Sequence, residues 1–507
     1  MNSFPRWAAS LRAAALVGAA LLAAAVPLAG CSSTAGTAAA AGTAGTAASG
    51  TAPTASAPRF GDEWAGVPGA AAMADLRVPA NVADLTLTVY PTPRKVAYGD
   101  VRLPLDGARY VDETTDDVDA VLRAAGLEIG FRELPVEGYA LAVTWDRGRA
   151  TVLLAAKDDA GHRWASLALE QVTTTVGGRR VARACRVLDA PVFPLRGNKR
   201  PQAWERRYRA NFAWEVREGP EYEGLETVAT CAPGSPLDAT REAVDRILDG
   251  WKLWQDRGVR RFCVKFDDVG FEMTAETESR CGTYAAAVRS LVSSLRTGLR
   301  EHDPGAVLYF LPQTYWWNDP RLGAYARALR GAGGIGDDVG LVVTGPDVIS
   351  VEIDAAGVAG IRDRFGSVAT AALVYDNLGR EGDWGPLTGR DPALASLCDA
   401  VFGERGTPVN RLTRLDWLWN PADYDAERSW RRAVLELAGP SGYAPLLAAC
   451  DAFRRGAPRE EIAALVERFA KGPAPAGVPV AHPRLAALLR EDLSRLEPRA
   501  VAAATRP

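Results

Sequence analysis

Two adjacent carboxylates, Asp267 and Asp268, close the run RRFCVKFDD (260–268). Neighbouring carboxylates cannot both sit comfortably ionised in a shared low-dielectric pocket, so the pKa of one should be pushed up. A protonated acid beside an ionised partner is the pairing that cleavage of a glycosidic bond needs. The same pair at a strand end also makes an ordinary solvated turn, so its surroundings must decide between the two. Strand alternation sends neighbouring side chains to opposite faces. Both aspartates can therefore serve one site only if the strand ends or bends beside them. Lys265 shares a face with Asp267 at period two and would neutralise it. Further along, TYWW (314–317), VVTGPDVIS (342–350) and VYDNLG (374–379) bring Tyr315, Thr344 and Asn377 to the ends of apolar runs, with Asp383 and Trp384 following.

The elements that must position these groups repeat as strand, helix, strand, helix from Phe193 onward. Seven candidate strands are VFPLRGNK (192–199), NFAWEV (211–216), LETVATCAPG (225–234), RRFCVKFDD, AVLYFLPQTYWW (306–317), GLVVTGPD (340–347) and AALVYDN (371–377). Amphipathic helices at 284–302 and 321–333 separate later ones. Repeated βα units over this length predict an α/β fold, a (β/α)8 TIM-like barrel over 191–420, with function at the C-terminal ends of its strands. Before it, residues 80–190 read as a small α+β domain. Its expected elements are a strand in LTLTVYPTPRKV (85–96), a helix at 116–125, a strand pair at 138–145 and 150–157, and a helix at 161–174. After it, 421–507 reads as a helical domain.

These segments resemble glycoside hydrolase family 84. KFDDVG (265–270) is similar to the paired aspartates on that family's fourth barrel strand, and TYWW to the tyrosine-bearing end of the next. VVTGPDVIS resembles its WTGP segment, with Val343 where tryptophan is usual, and VYDNLG its WDN strand. Residues 387–430, ending in LWNP and a tyrosine, follow its passage into a helical domain, and YPTPRKV (90–96) resembles the opening of the small domain that precedes the barrel in families 20 and 84. The resemblance covers most of residues 85–440. It implies a β-N-acetylglucosaminidase acting on terminal β-linked N-acetylglucosamine by a retaining, substrate-assisted route through an oxazoline. In that route Asp267 would orient and polarise the acetamido N–H, and Asp268 would protonate the leaving oxygen and then activate water. Tyr315 and Asn377 would hold the acetamido group, Asp383 would receive a sugar hydroxyl, and Trp384 would form a stacking wall. Thr344 and Arg196 complete the substrate-binding set it implies.

The chain also departs from the family's pattern. RGNKRPQAW (196–204) keeps Arg196 and Gly197 of an RGxxEGFYG-like run but loses the later glycine and the aromatic pair. NFAWEVREGPEY (211–222) offers Glu215, Arg217 and Glu218 where a lysine and acidic residues should grip the sugar. Thr407 stands where an asparagine is usual, and only EYEG leads towards the third strand, with no room for a helix. These losses favour the alternative, a surface lipoprotein that binds amino sugars or cell-wall glycans with little hydrolysis; a purely structural lipoprotein is a third reading.

The ends and the bulk composition bound the rest. Arg6 and Arg12 precede an apolar stretch ending Leu28-Ala29-Gly30-Cys31, an export signal over 1–31 with a bacterial lipobox. This implies lipidation of Cys31 and anchoring at the extracytoplasmic face of the cell membrane. Residues 32–75, rich in Ala, Gly and Thr, read as a disordered linker. A net charge of −3 over 507 residues argues against electrostatic capture of nucleic acid and suits a neutral glycan partner. With three histidines and no CxxC pairing among six further cysteines, no metal or organic cofactor is expected. Disulfide pairing and oligomeric state stay open.

Overall fold

The structure, a computed structural model, describes residues 60–496 apart from 112–122, 124–125, 127–132, 218, 220–221, 367–371, 378–382, 405 and 476. The expected leader, Cys31, the first part of the linker, Glu218 and nearly all of the helix expected at 116–125 lie outside the described residues. Residues 58–507 form one compact unit.

That unit opens with a sheet of β1 (Ala71–Ala72), β2 (Lys95–Pro104), β3 (Arg109–Val111), β4 (Tyr139–Asp146), β5 (Arg149–Ala156), β6 (Thr173–Val176) and β7 (Arg179–Asp189). Its order is β1-β2-β7-β4-β5-β3, with β6 on β7. β4 and β5 form the expected antiparallel hairpin, Tyr139 opposite Ala156 and Asp146 opposite Arg149. Helix α1 (Asp159–Gln171) starts where the Asp158 carboxylate accepts the Gly161 N–H, and it buries Trp164, Ala165 and Ala168. The strand expected at 85–96 is corrected: extended pairing begins only at Lys95. Pro91 and Pro93 lack the N–H a ladder needs, and Leu87 turns the chain at φ 51°. The alternating Leu85, Leu87 and Val89 are buried without sheet pairing.

The barrel closes as expected, with eight parallel strands in the order in which they follow along the chain. They are β8 (Gly197–Asn198), β9 (Phe212–Ala213), β10 (Glu226–Cys231), β11 (Arg261–Lys265), β12 (Val307–Leu311), β13 (Gly340–Val343), β14 (Ala372–Asp376) and β15 (Cys398–Gly403). The eighth strand, CDAVFG, was not among the seven candidates. Outer helices are α2 (Arg241–Gln255), α3 (Ala275–Cys281), α4 (Tyr284–His302), α5 (Leu322–Gly331) and α6 (Ala355–Phe365), and α7 (Pro408–Trp419) leaves the barrel. Among the described residues no helix joins β9 to β10, as the short EYEG link foretold.

Period two divides each strand between two layers. On β11, Phe262 and Val264 pack outward against Leu291 and Leu295 of α4. Cys263 points inward with Trp214, Tyr309, Leu311, Val342, Leu373 and Phe402. The chain ends in α8 (Ala426–Arg455), α9 (Arg459–Ala470) and α10 (His482–Arg495), with α8 broken at Gly439 (φ 61°, ψ 175°) just before Pro440. A buried cluster ties the sheet to the barrel. Arg209 donates to Asp189 (3.1 Å) and to the Tyr139 hydroxyl (2.7 Å), and the Trp419 indole donates to Asp189 (2.9 Å). The six described cysteines are unpaired.

Candidate active site

β11 ends at Lys265, and the chain turns through Asp267 and Asp268 at the C-terminal mouth of the barrel. Phe266 holds that exit in place, its ring in the outer layer and its N–H donating to the Leu311 carbonyl at 2.7 Å. The strand therefore stops where one site for both aspartates requires it to. Cys263 belongs to the inward face, and Lys265 and Asp267 are near enough for their charges to act on it. Asp267 is partly buried and Asp268 is exposed. Burial pushes the Asp267 carboxyl up; Lys265 opposes this and the Asp268 charge adds to it, and the net displacement is upward.

The next strand ends bring further groups to the same mouth. Tyr315, beyond β12, packs against the inner cluster that contains Cys263 and Leu311. Its carbonyl accepts the Thr344 N–H at 2.9 Å, joining the ends of β12 and β13. The Thr344 hydroxyl donates to the Asp347 carbonyl (2.9 Å) and is buried, so this side chain shapes the loop. Asn377, beyond β14, is 5% exposed and donates from Nδ2 to the Val348 carbonyl at 2.8 Å. Its buried Oδ1 has no partner among the described residues, which leaves an acceptor open at this position. Asp383 is partly buried. Burial pushes its carboxyl up, against the Gly385 N–H (2.8 Å) and the charges of Arg414 and Arg390.

Beneath Asn377 lies a buried ionic network. Asp376 takes a bidentate pair from Arg390 (2.6 and 3.0 Å) and a further contact from Arg414 (3.4 Å). Arg414 also donates to Asn198 Oδ1 (2.9 Å), and Asn198 donates to Glu205 (2.8 Å). The ends of β14 and β8 are thereby fastened to α7.

Two expected substrate contacts lie elsewhere. Arg196 is 0% exposed. It pairs with Glu137 at 2.5 Å and donates to the carbonyls of Phe193 (2.8 Å) and Arg209 (3.2 Å), bracing the barrel against the sheet. Trp384 is 1% exposed, its indole donating to Asp492 of α10 at 2.9 Å and its ring 6.1 Å from that of Phe453. Packing against the helical domain leaves no broad face for a sugar to stack on.

Sequence reasoning missed a second group at the mouth. Trp214, Phe402 and Tyr375 stack as three near-parallel plates, with centroids 4.7 and 4.9 Å apart. Lys199, just past β8, hydrogen-bonds the Tyr375 hydroxyl (3.2 Å) and pairs with Glu215 (3.4 Å) and Glu404 (3.3 Å). Burial pushes the Glu215 carboxyl up, but Lys199, Arg200 and Arg217 outweigh it and hold the group below its usual range. The lysine sought at the end of the second strand thus stands at the end of the first. Its signal was the polar tail of VFPLRGNK, whose partners only closure of the barrel brings near. Among the described residues no cluster of His, Cys, Asp and Glu is suited to a metal ion.

Among known protein families, the one described as beta-N-acetylglucosaminidase matches residues 196–451. Among solved structures, CpGH84B is similar at 15% identity and a TM-score of 0.53, over 76% of this chain and 84% of its own. CpGH84D is similar at 12% identity and a TM-score of 0.54, over 80% and 86%. A variant of the Thermobaculum terrenum O-GlcNAc hydrolase aligns at 16% identity and a TM-score of 0.47, over 60% and 80%. At such identities the first two likenesses speak for the fold.

Proposed function

Since the chain belongs to the beta-N-acetylglucosaminidase family, glycoside hydrolase family 84, and hydrolyses terminal β-linked N-acetylglucosamine, we propose that the sugar's own 2-acetamido group is the nucleophile. Its carbonyl oxygen attacks the anomeric carbon as the glycosidic bond breaks, while Asp268 gives its proton to the leaving oxygen. Asp267 accepts the acetamido N–H, which strengthens the attacking carbonyl. In the second half, Asp268 takes a proton from water, the water oxygen bonds to the anomeric carbon, and the oxazoline reopens with net retention. Tyr315 and Asn377 hold the acetamido group, and Asp383 receives a ring hydroxyl. The observation that supports this reading is a partly buried Asp267 just past the end of the fourth strand, with an exposed Asp268 beside it in the same turn.

The test is release of a fluorogenic phenol from its β-N-acetylglucosaminide by the full-length protein and by Asp268→Asn. Wild-type turnover well above blank, reduced roughly 10²–10⁴-fold in the variant, is expected. Absence of turnover in both, at high protein concentration, would turn the reading towards amino-sugar binding without hydrolysis. Lipidation at Cys31 and anchoring at the outer face of the membrane belong to the same proposal, supported by the Leu28–Cys31 lipobox. Cys31→Ala should move the protein from the membrane fraction to the soluble one. A variant that stays with the membrane would sink the anchor.

A further inference from the structure

A general acid stands on the side of the mouth from which the leaving group departs. In this barrel that side is β11, whose turn carries Asp268. The loops beyond β11 and its neighbour β12 build a surface there. Phe271, on the same loop as Asp268, is 44% exposed. It is nonetheless held in place, its ring 5.3 Å from that of Tyr284 at the start of α4 and 5.9 Å from that of Tyr325 on α5. The Arg321 guanidinium carbon lies 5.7 Å from the Phe271 ring centre and 5.8 Å from that of Trp316, joining the two rings. Trp316 is partly exposed and meets Tyr315 edge-on at 4.9 Å. Because Tyr315 packs on the inner cluster of the barrel, the row starts at the site itself and runs outward by contact.

The charge on this row is already engaged. Asp319, 4% exposed, accepts from Arg321 Nε at 3.0 Å and from Nη2 at 2.8 Å. That bidentate pair fixes the guanidinium plane and cancels its charge. The exposed side chains on the Phe271 loop include the carboxylates Asp268 and Glu272. An anionic leaving group would meet those carboxylates with Arg321 already committed. The barrel is closed, so its strands offer no edge on which an extended peptide could pair. Aromatic rings joined by a guanidinium suit a neutral pyranose instead. Its C–H face lies on the rings, and its hydroxyls accept from the N–H groups.

Resting on the hydrolase reading above, we propose that Phe271, Arg321 and Trp316 form the leaving-group site and select a neutral sugar there. The substrate is then a terminal N-acetylglucosamine joined to a second, uncharged sugar, which departs with the proton given by Asp268.

The experiment measures kcat/KM for full-length wild type, Phe271→Ala and Phe271→Tyr. β-N-acetylglucosaminyl fluoride, whose leaving group is too small to reach the row, is the control. Against it stand chitobiose, N-acetylglucosamine β-linked to glucuronic acid, and a peptide carrying N-acetylglucosamine on serine. Wild type should favour chitobiose over the charged disaccharide and the glycopeptide by about tenfold or more. Phe271→Ala should lower kcat/KM about tenfold on chitobiose and less than about twofold on the fluoride, while Phe271→Tyr behaves as wild type on both. An equal loss on both substrates or an unchanged rate on chitobiose would overturn the proposal. So would cleavage of the charged disaccharide or the glycopeptide as fast as chitobiose. If wild type leaves even the fluoride intact, hydrolysis itself fails, and calorimetry with chitobiose judges the row separately. Binding about tenfold weaker in Phe271→Ala would sustain a sugar site there, whereas equal affinity or no binding would remove it.

Discussion

At Asp267, burial and charge pull in opposite directions, and Lys265 is the charge that moderates burial. The proposed role needs Asp267 ionised, because only a carboxylate accepts the acetamido N–H with both oxygens. Activity should therefore fall as pH drops through a pKa lying above the ordinary aspartate value of about 3.9. Replacing Lys265 with Met removes the opposing charge, so the acid limb of kcat/KM should move to higher pH while the alkaline limb stays put. An unmoved acid limb would count against Asp267 as the titrating group. Stability carries the reverse sign. A carboxyl whose pKa is raised on folding imposes a penalty absent at low pH, growing as pH rises through the ordinary carboxylate range and complete above the raised value. Asp267→Asn should thus raise the melting temperature at pH 7 more than near about pH 3, as thermal unfolding at the two pH values would show. The nearness of Lys265 to Asp267 was legible from period two, and the Lys265 charge does act on that carboxyl. The settings of Arg196 and Trp384 were not, because their partners Glu137 and Asp492 stand 59 and 108 positions away. Local pattern carries no information about such pairings.

Among the elements, each of the seven anticipated barrel strands is shorter than the run that announced it. A ladder exists only where both neighbours are present in register, and VFPLRGNK yields just Gly197 and Asn198 as β8. Gly197 is fixed by that closeness, since a Cβ there would lie 2.0 Å from the Phe212 carbonyl oxygen on β9. CDAVFG escaped notice because it comes after a 3-10 turn (Pro392–Ser396) where a long outer helix would normally announce the next strand. What holds the short strand ends together is the Asp376–Arg390–Arg414 cluster, fully buried. Removing the carboxylate strands two buried cations, so Asp376→Ala should cost about 3–5 kcal/mol of stability. Urea unfolding followed by tryptophan fluorescence would measure it, and a loss within experimental error would mean that the arginines find other acceptors.

On the scale of the whole molecule, sheet, barrel and terminal helices share buried partners. Asp189 is the meeting point, accepting from Arg209 before β9 and from Trp419 at the end of α7. Coupling of this kind makes unfolding of residues 58–507 a single event. Scanning calorimetry should give one transition for the wild type, and Asp189→Ala, which leaves the Arg209 charge buried without its carboxylate, should separate an earlier sheet transition from the rest. A single transition at an unchanged temperature would show that the cluster does not couple them. The cysteines carry one more consequence. Cys185, Cys263, Cys398 and Cys450 are buried, and burial pushes their thiols up, Cys185 and Cys398 to about 12. Only thiolates attack disulfides or oxidants at useful rates, so these sulfurs stay chemically silent in reducing and oxidising surroundings alike. The melting temperature should be the same with and without reductant, and a drop on reduction would reveal a hidden crosslink. Closing the cores that hold these four cysteines then rests on packing, whatever the supply of oxidant in the compartment that receives the chain.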